Sequence, residues 1–317
     1  MNKNERVAVC SRSFSKNTTL RKEILEKYQH VKFNDADKKL EGDSLVDFLL
    51  GCDKAITALE VLDDSVLSQL PDLKVVAKYG VGLDMIDMDS MKRYGKSLGW
   101  IGGVNRRSVS ELVISFAISL LRHVPAAHRE VLGGTWRQHI GASLSDKKVG
   151  IIGCGHIGKD LIQLLKPFGC NVLVNDIKEQ KDFYAKNNVR GVDLEELLSK
   201  SDVITLHLPL DNSTRNILSS EKMSLMKNTA ILINTARGGL VDESALKLML
   251  QRGDIAAAAF DVFNVEPPID RELLELSNFL VTPHIGGSSV EAVLAMGRSA
   301  IQGLDVNTNT SIWKETC

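Results

Sequence analysis

Along the chain, short β-branched apolar runs alternate with stretches whose apolar positions recur at helical spacing. RVAVC (6–10), KAITA (54–58) and LKVVAKYG (73–80) have the length and composition of buried strands, and weaker strand patterns at 31–33 and 97–101 complete the series. Unbroken apolar strands suit a sheet covered on both faces, and intervening helices are the connection that parallel strands require. Roughly the first 100 residues are therefore expected to form an open parallel α/β unit. A second series starts at Lys147, with strands expected at 148–153, 171–176, 202–208, 229–236, 256–263 and 279–284. Six strands with helices between them predict a doubly wound sheet. The segment 102–125 joins the two series and carries a long apolar-periodic helix, for which Ser108 and Glu111 have the spacing of a capping box. A last helix is expected from Ser288 or Ser289 to Asp305, and the tail 307–317 is expected to fray.

Composition narrows the function classes. The chain has 317 residues, 39 Lys and Arg against 40 Asp and Glu, and a net charge of −1, so no basic field is available to hold a nucleic-acid backbone. The longest apolar-rich run, Leu112 to Leu121, falls short of the roughly 20 residues of a bilayer span. The first ten residues lack signal-peptide architecture. Five cysteines, Cys10, Cys52, Cys154, Cys170 and Cys317, are scattered and form no CxxC, which argues against a disulfide framework and a metal site. A cytoplasmic protein with a small-molecule partner, no nucleic acid, no membrane and no metal is expected.

The strand 148–153 runs into Gly153-Cys154-Gly155-His156-Ile157-Gly158, and the next segment repeats apolar residues on one helical face until Gly169. In a strand, turn and helix of this kind the first glycine permits the tight turn. The second lets backbone amides approach a pyrophosphate, and the third lets helix pack on strand. Asp176 ends the following strand, eighteen residues after Gly158, where a carboxylate accepts from the adenosine ribose hydroxyls. It also repels a 2′-phosphate, which favours NAD over NADP, with Lys178 nearby as a partial offset.

Ligands of open parallel sheets bind beyond the carboxyl ends of the strands. Three strands in succession end there on an ionisable residue: Arg237, Glu266 and His284. Each alone has an ordinary structural explanation, but the three complement one another as a hydride-transfer site acting on a 2-hydroxy acid. Histidine titrates near neutrality and exchanges the hydroxyl proton. A carboxylate beside it favours its protonated form and fixes its orientation, the part expected of Glu266. The planar fork of Arg237 grips the substrate carboxylate.

Taken together, KYGVGLDMID (78–87), GVNRRSVSEL (103–112), GCGHIG, HLPLDNSTRN (207–216), NTARGGLVDESAL (234–246), FDVFNVEPP (260–268) and TPHIGG (282–287) resemble the D-isomer-specific 2-hydroxyacid dehydrogenases, in particular the phosphoglycerate-dehydrogenase-like branch, over about residues 54–300. The resemblance implies two Rossmann-like domains with an active-site cleft between them: an NAD-binding domain (103–285) and a flavodoxin-like substrate domain (1–102 with 286–317). Arg237, Glu266 and His284 then match the catalytic residues, and Gly80, Val81 and Gly82 the loop for the substrate carboxylate. His156, Ile157, Asp176, Leu208, Pro209, Thr214, Thr235, Asp261 and Gly286 match cofactor contacts, with Asp261 near the nicotinamide amide. It further implies a homodimer built on the long helix and the Val124–His139 arm containing Trp136.

Some positions depart from the branch. Lys78 stands where phosphate-handling relatives often have arginine, either to meet an anion or as a solvated lysine, and 56–61 lacks a second arginine found in some of them. Arg106 and Arg107 are expected to be a solvated pair. No segment matches the regulatory domain of biosynthetic members, so feedback control by serine is not expected. The expected substrate is a 3-phosphoglycerate-type or a hydroxypyruvate/glyoxylate-type acid. Two alternatives stay open: an NAD-sensing corepressor-like binding protein, and a phosphite-type oxyacid dehydrogenase on the same frame. Formate-oxidising relatives usually pair the histidine with glutamine, so Glu266 weighs against them.

Overall fold

The computed structural model describes residues 4–312. Residues 1–3 and 313–317, and with them Cys317 and the end of the tail, lie outside the described residues. The chain divides into two compact units, Met1–Asn105 with Ser289–Cys317, and Arg106–Ser288. The crossings fall three residues beyond the boundaries expected from sequence, at 105 against 102 and at 288 against 285.

The first unit opens with β1 (Arg6–Val9), β2 (His30–Phe33), β3 (Lys54–Thr57), β4 (Val75–Lys78) and β5 (Ser97–Gly99). They pair in parallel in the order β2-β1-β3-β4-β5, the flavodoxin-like order. The second unit follows with β6 (Lys148–Ile152), β7 (Asn171–Asn175), β8 (Arg190–Gly191), β9 (Val203–Leu206), β10 (Ile231–Asn234), β11 (Ala257–Phe260) and β12 (Phe279–Val281). They form one sheet in the order β12-β11-β10-β9-β6-β7-β8. The chain then returns to the first unit through the helix Val290–Gly303, capped by Ser289, and β13 (Thr308–Asn309), which pairs antiparallel with β5. The pattern missed β8 and β13 because two-residue edge strands carry no apolar run.

Alternation explains why the strands of the second unit read as apolar throughout. Ile152, Ile204, Leu206, Leu232, Ala258 and Phe260 belong to one buried cluster, while Val149, Ile151, Val203, Ile231, Ile233 and Ala259 belong to another. Successive side chains thus serve two cores, one on each face of the sheet. The helix Arg106–Leu121 supplies Val113, Phe116, Ala117 and Leu120 to the second cluster. It begins two residues before Ser108, which is therefore an interior residue and not the expected cap. Arg107 is likewise more than a solvated cation. Its Nε and Nη2 donate to the two oxygens of Asp160 at 2.9 and 3.0 Å, tying this helix to His156–Leu165.

Two features bring the C-terminal segment back into the first unit. A Cβ on Gly99 would sit 2.2 Å from the Gly303 carbonyl oxygen, so the returning helix crosses β5 at a backbone-to-backbone approach that only glycine allows. At the start of β3, Lys54 Nζ donates to Glu5 Oε2 at 2.8 Å and to Asp305 Oδ1 at 3.4 Å. Tyr28 donates to the same Asp305 oxygen at 2.5 Å. A lysine that is 8% exposed needs such anionic partners, because an unpaired buried ammonium is costly.

Candidate active site

The glycine turn connects β6 to the helix His156–Leu165. Gly153 has φ +98°, and a Cβ there would lie 2.5 Å from the His207 carbonyl oxygen; a Cβ on Gly158 would lie 2.3 Å from the Gly153 carbonyl oxygen. The packing of the chain itself therefore dictates both glycines. Gly155 differs, since a Cβ there meets nothing within 4 Å. The open space in front of it, next to the first amides of the helix, has the form of a cradle for a phosphate group.

The surroundings hold this turn in place. Asp176, just past β7, accepts from Cys154 N at 2.6 Å and from Lys178 N at 2.7 Å, which fixes the carboxylate beside the turn. Gln180 Nε2 donates to the Cys154 carbonyl at 3.0 Å. Leu208 Cδ2 would lie 3.0 Å from a Cβ on Gly153, so the loop after β9 borders the turn. Strand order changes direction between β6 and β9, the place where open α/β sheets bind ligands. In that loop Thr214 Oγ1 donates to the Pro209 carbonyl and accepts from Asp211 N, both at 2.8 Å. His156 is exposed and Ile157 half-buried at the head of the helix. His207 Nε2 lies 3.1 Å from Thr205 Oγ1, and burial pushes its imidazole down to about 3, so it stays neutral at working pH. Thr235, just past β10, keeps a buried Oγ1 with no partner among the described residues, an orphan that a bound group is suited to satisfy.

Arg237, Glu266 and His284 follow β10, β11 and β12, three neighbouring strands of one parallel sheet. Their carboxyl ends share one edge with the glycine turn. The turn at Arg237 is closed by Asn234 Nδ2 on the Arg237 carbonyl at 2.8 Å, and Arg237 Nη1 donates to the Ala236 carbonyl at 2.7 Å. A Cβ on Gly238 would lie 2.0 Å from the Phe263 carbonyl carbon, which brings this turn against the segment that carries Glu266. Glu266 Oε1 accepts from Phe263 N at 3.1 Å, and its Oε2 lies 2.9 Å from His284 Nδ1. The imidazole is thus tethered through Nδ1, leaving Nε2 as the nitrogen for proton exchange.

His284 itself sits at φ +54°, unusual for a residue with a side chain, and its amide donates to the Asp261 carbonyl at 2.9 Å. The Asp261 carboxylate is 1% exposed and engaged within the chain. It accepts from Thr282 Oγ1 at 2.5 Å and from Ile285 N and Gly286 N at 2.7 Å each, so it organises the segment that carries His284.

In the first unit, Gly80 has φ +128° and the Val81 carbonyl accepts from Trp100 Nε1 at 2.9 Å, with Gly82 following half-buried. Lys78 is not the solvated lysine expected as one of its two readings. It is 4% exposed, and its ammonium donates to the Ala58 carbonyl.

A family model described as D-isomer specific 2-hydroxyacid dehydrogenase, NAD binding domain, matches residues 114–286. The chain belongs to this family. The matched stretch contains the glycine turn and all three strand-end residues, and NAD is the cofactor of such a domain. A hydroxypyruvate reductase of Thermotoga maritima is 36% identical over 271 residues, covering 83% of this chain and 87% of that protein. A D-3-phosphoglycerate dehydrogenase of Methanocaldococcus jannaschii is 39% identical over 235 residues, 73% of this chain but 45% of that protein. The chain therefore spans about half the length of the phosphoglycerate dehydrogenases it matches. The crystal structure of D-lactate dehydrogenase from Aquifex aeolicus complexed with NAD and lactic acid superposes with a TM-score of 0.81 at 26% identity, over 94% of this chain and 93% of that one.

The residues present suit the dinucleotide: an open glycine cradle, a fixed carboxylate beyond β7 and an orphaned hydroxyl beyond β10. Sequence reasoning missed the residues behind these groups. Thr282 lay inside a recognised motif but had no role, and Ser108 was assigned the wrong one. The bonds that give them their parts, to Asp261 and to the Gly286 carbonyl, join positions 21 and 178 residues apart, and no local pattern marks such a pairing.

Proposed function

We propose that this family member moves a hydride between NAD and a small D-2-hydroxy acid or its 2-oxo form, with His284 as acid and base, Glu266 as its tether and Arg237 as the carboxylate clamp. The observation that carries this is the 2.9 Å contact between His284 Nδ1 and Glu266, beside Arg237 on the strand-end edge that also bears the glycine turn. Bound nicotinamide supplies the hydride donor or acceptor. In reduction His284 Nε2 gives its proton to the forming hydroxyl while Glu266 steadies the imidazolium; in oxidation it takes the proton back. Arg237 orients the acid and draws charge from the adjacent carbonyl.

Among the acids, the hydroxypyruvate and glyoxylate type is favoured over the phosphorylated type. Relatives covered over more than four-fifths of their own length include hydroxypyruvate and glyoxylate reductases. The ammonium of Lys78, the residue suited to a phosphate, is buried on the Ala58 carbonyl. We further infer a homodimer formed through the helix Val124–Leu132 and the arm after it. That helix buries no residue of its own, and Leu132, Trp136 and Ile140 are 75, 85 and 96% exposed. Large apolar side chains exposed together suit a protein contact. A reducing, cytoplasmic setting agrees with free thiols at Cys10, Cys52, Cys154 and Cys170.

The test is NADH oxidation with hydroxypyruvate, glyoxylate and phosphohydroxypyruvate. Turnover should be highest on an unphosphorylated acid, and His284→Ala should lower kcat by about 10³-fold while NADH still binds. Arg237→Lys should raise the KM for the oxo acid by about tenfold or more despite keeping the charge. If no acid is turned over faster than by His284→Ala, the proposal is wrong.

A further inference from the structure

The chain passes between the two units at Asn105–Arg106 and again at Ser288–Ser289, and His284 lies just before the second crossing. A residue so near a point where the chain changes unit needs its position referenced to its own unit, because segments joining compact units are ordinarily where motion concentrates. The structure shows how this is done. Ser108, on the first turn of the helix Arg106–Leu121 and just inside the first crossing, donates its hydroxyl to the Gly286 carbonyl at 2.7 Å. The Gly286 amide donates to Asp261 Oδ2 at 2.7 Å, and a Cβ on Gly286 would lie 3.0 Å from that oxygen and 3.5 Å from Val109 Cγ2. Both faces of one peptide segment are therefore held, the carbonyl by the helix and the amide by the end of β11.

The same carboxylate takes Ile285 N and Thr282 Oγ1, so His284 is bracketed on both sides by groups bonded to Asp261. At φ +54° the histidine occupies a backbone conformation that its neighbours must enforce. We propose that Ser108 is a positioning residue for His284: with Asp261 it forms a clamp that ties together the two crossing segments on the side of the NAD-binding unit and fixes where the imidazole stands. This rests on the acid–base role given to His284, and Ser108 itself touches no reacting atom.

The clamp makes Ser108→Ala specific in its effects. Losing this hydrogen bond is mildly destabilising and the helix preference of alanine offsets part of the loss, so the melting temperature should fall by no more than about 4 °C. With the carbonyl released, kcat should fall about tenfold, because small displacements of a catalytic group are costly to rate. Ser108→Thr, which keeps the hydroxyl, should restore most of kcat. A readout independent of turnover is the ring resonances of His284 in histidine-labelled protein, assigned by their loss in His284→Ala. At fixed pH they should move in Ser108→Ala and return in Ser108→Thr. Unchanged resonances and unchanged kcat in Ser108→Ala overturn the clamp, as does a kcat loss that Thr does not restore. If His284→Ala keeps full turnover, the acid–base assignment fails instead, and the resonances still report whether the clamp exists.

Discussion

The three glycines of the turn give a test in which fold and cofactor binding separate. Gly158→Ala places a Cβ 2.3 Å from the Gly153 carbonyl oxygen, about 1 Å closer than an ordinary contact, and the obstacle is backbone that cannot rotate away. Overpacking of this kind costs about 3 kcal/mol, and the helix preference of alanine over glycine returns about 1 kcal/mol, leaving a net loss of about 2 kcal/mol. For a unit of this size that lowers the melting temperature by about 4–8 °C. Gly155→Ala meets open space at φ −78°, a conformation alanine adopts. Its weaker capping and its smaller unfolded-state entropy roughly cancel, so melting should change by less than about 2 °C. The added methyl stands where a pyrophosphate must approach, and a steric loss of about 2 kcal/mol there raises the NADH Kd about 30-fold. Thermal melts and the fluorescence of bound NADH measure both quantities. An alanine at 155 that melts early yet binds NADH normally would overturn this separation of roles, as would an alanine at 158 that melts like the parent.

Two more outcomes follow from the first unit and from the exposed arm. Burial and the bond to Asp305 hold the Tyr28 hydroxyl well above the usual tyrosine range, so the folded state keeps a proton that the unfolded chain releases above about pH 10. Its stabilisation is complete below that pH and is lost as pH rises beyond it; urea unfolding between pH 9 and 11 should show this decline, and Tyr28→Phe should flatten it. An equal decline in both proteins would remove Tyr28 as the cause. Trp136→Asp, at a side chain 85% exposed, should convert a dimer into a monomer in sedimentation with no change in the melting of the second unit. A monomeric parent would dismiss the arm as an interface.

Much of the site was legible because its signals are local. A strand buried on both faces must be apolar at every position, so β6, β9, β10 and β11 announced themselves, and with them the positions just past their ends. Gly153, Gly155 and Gly158 showed by spacing alone where a strand turns into a helix. Lys78 was not legible in the same way: at the end of an apolar strand it reads either as an anion partner or as a solvated lysine, and its burial with a bond to the Ala58 carbonyl follows from the pairing of β3 with β4. Asp261 was recognised through a motif, but its work on Thr282, Ile285 and Gly286 depends on β11 and β12 lying side by side.

Periodicity and spacing act over a few residues, and for that reason the alternation of strands and helices, the glycine turn and the three ionisable strand ends could be read from the chain alone. How those ends are held depends on the fold. It set the 2.9 Å pairing of Glu266 with His284, the left-handed backbone at His284 and the bond from Ser108 to Gly286. It also distinguished Gly155 from Gly153 and Gly158, since only the placement of surrounding backbone shows which glycine the chain needs for itself and which leaves room for something else. Such choices depend on atoms brought together from distant parts of the chain, and no local pattern encodes them.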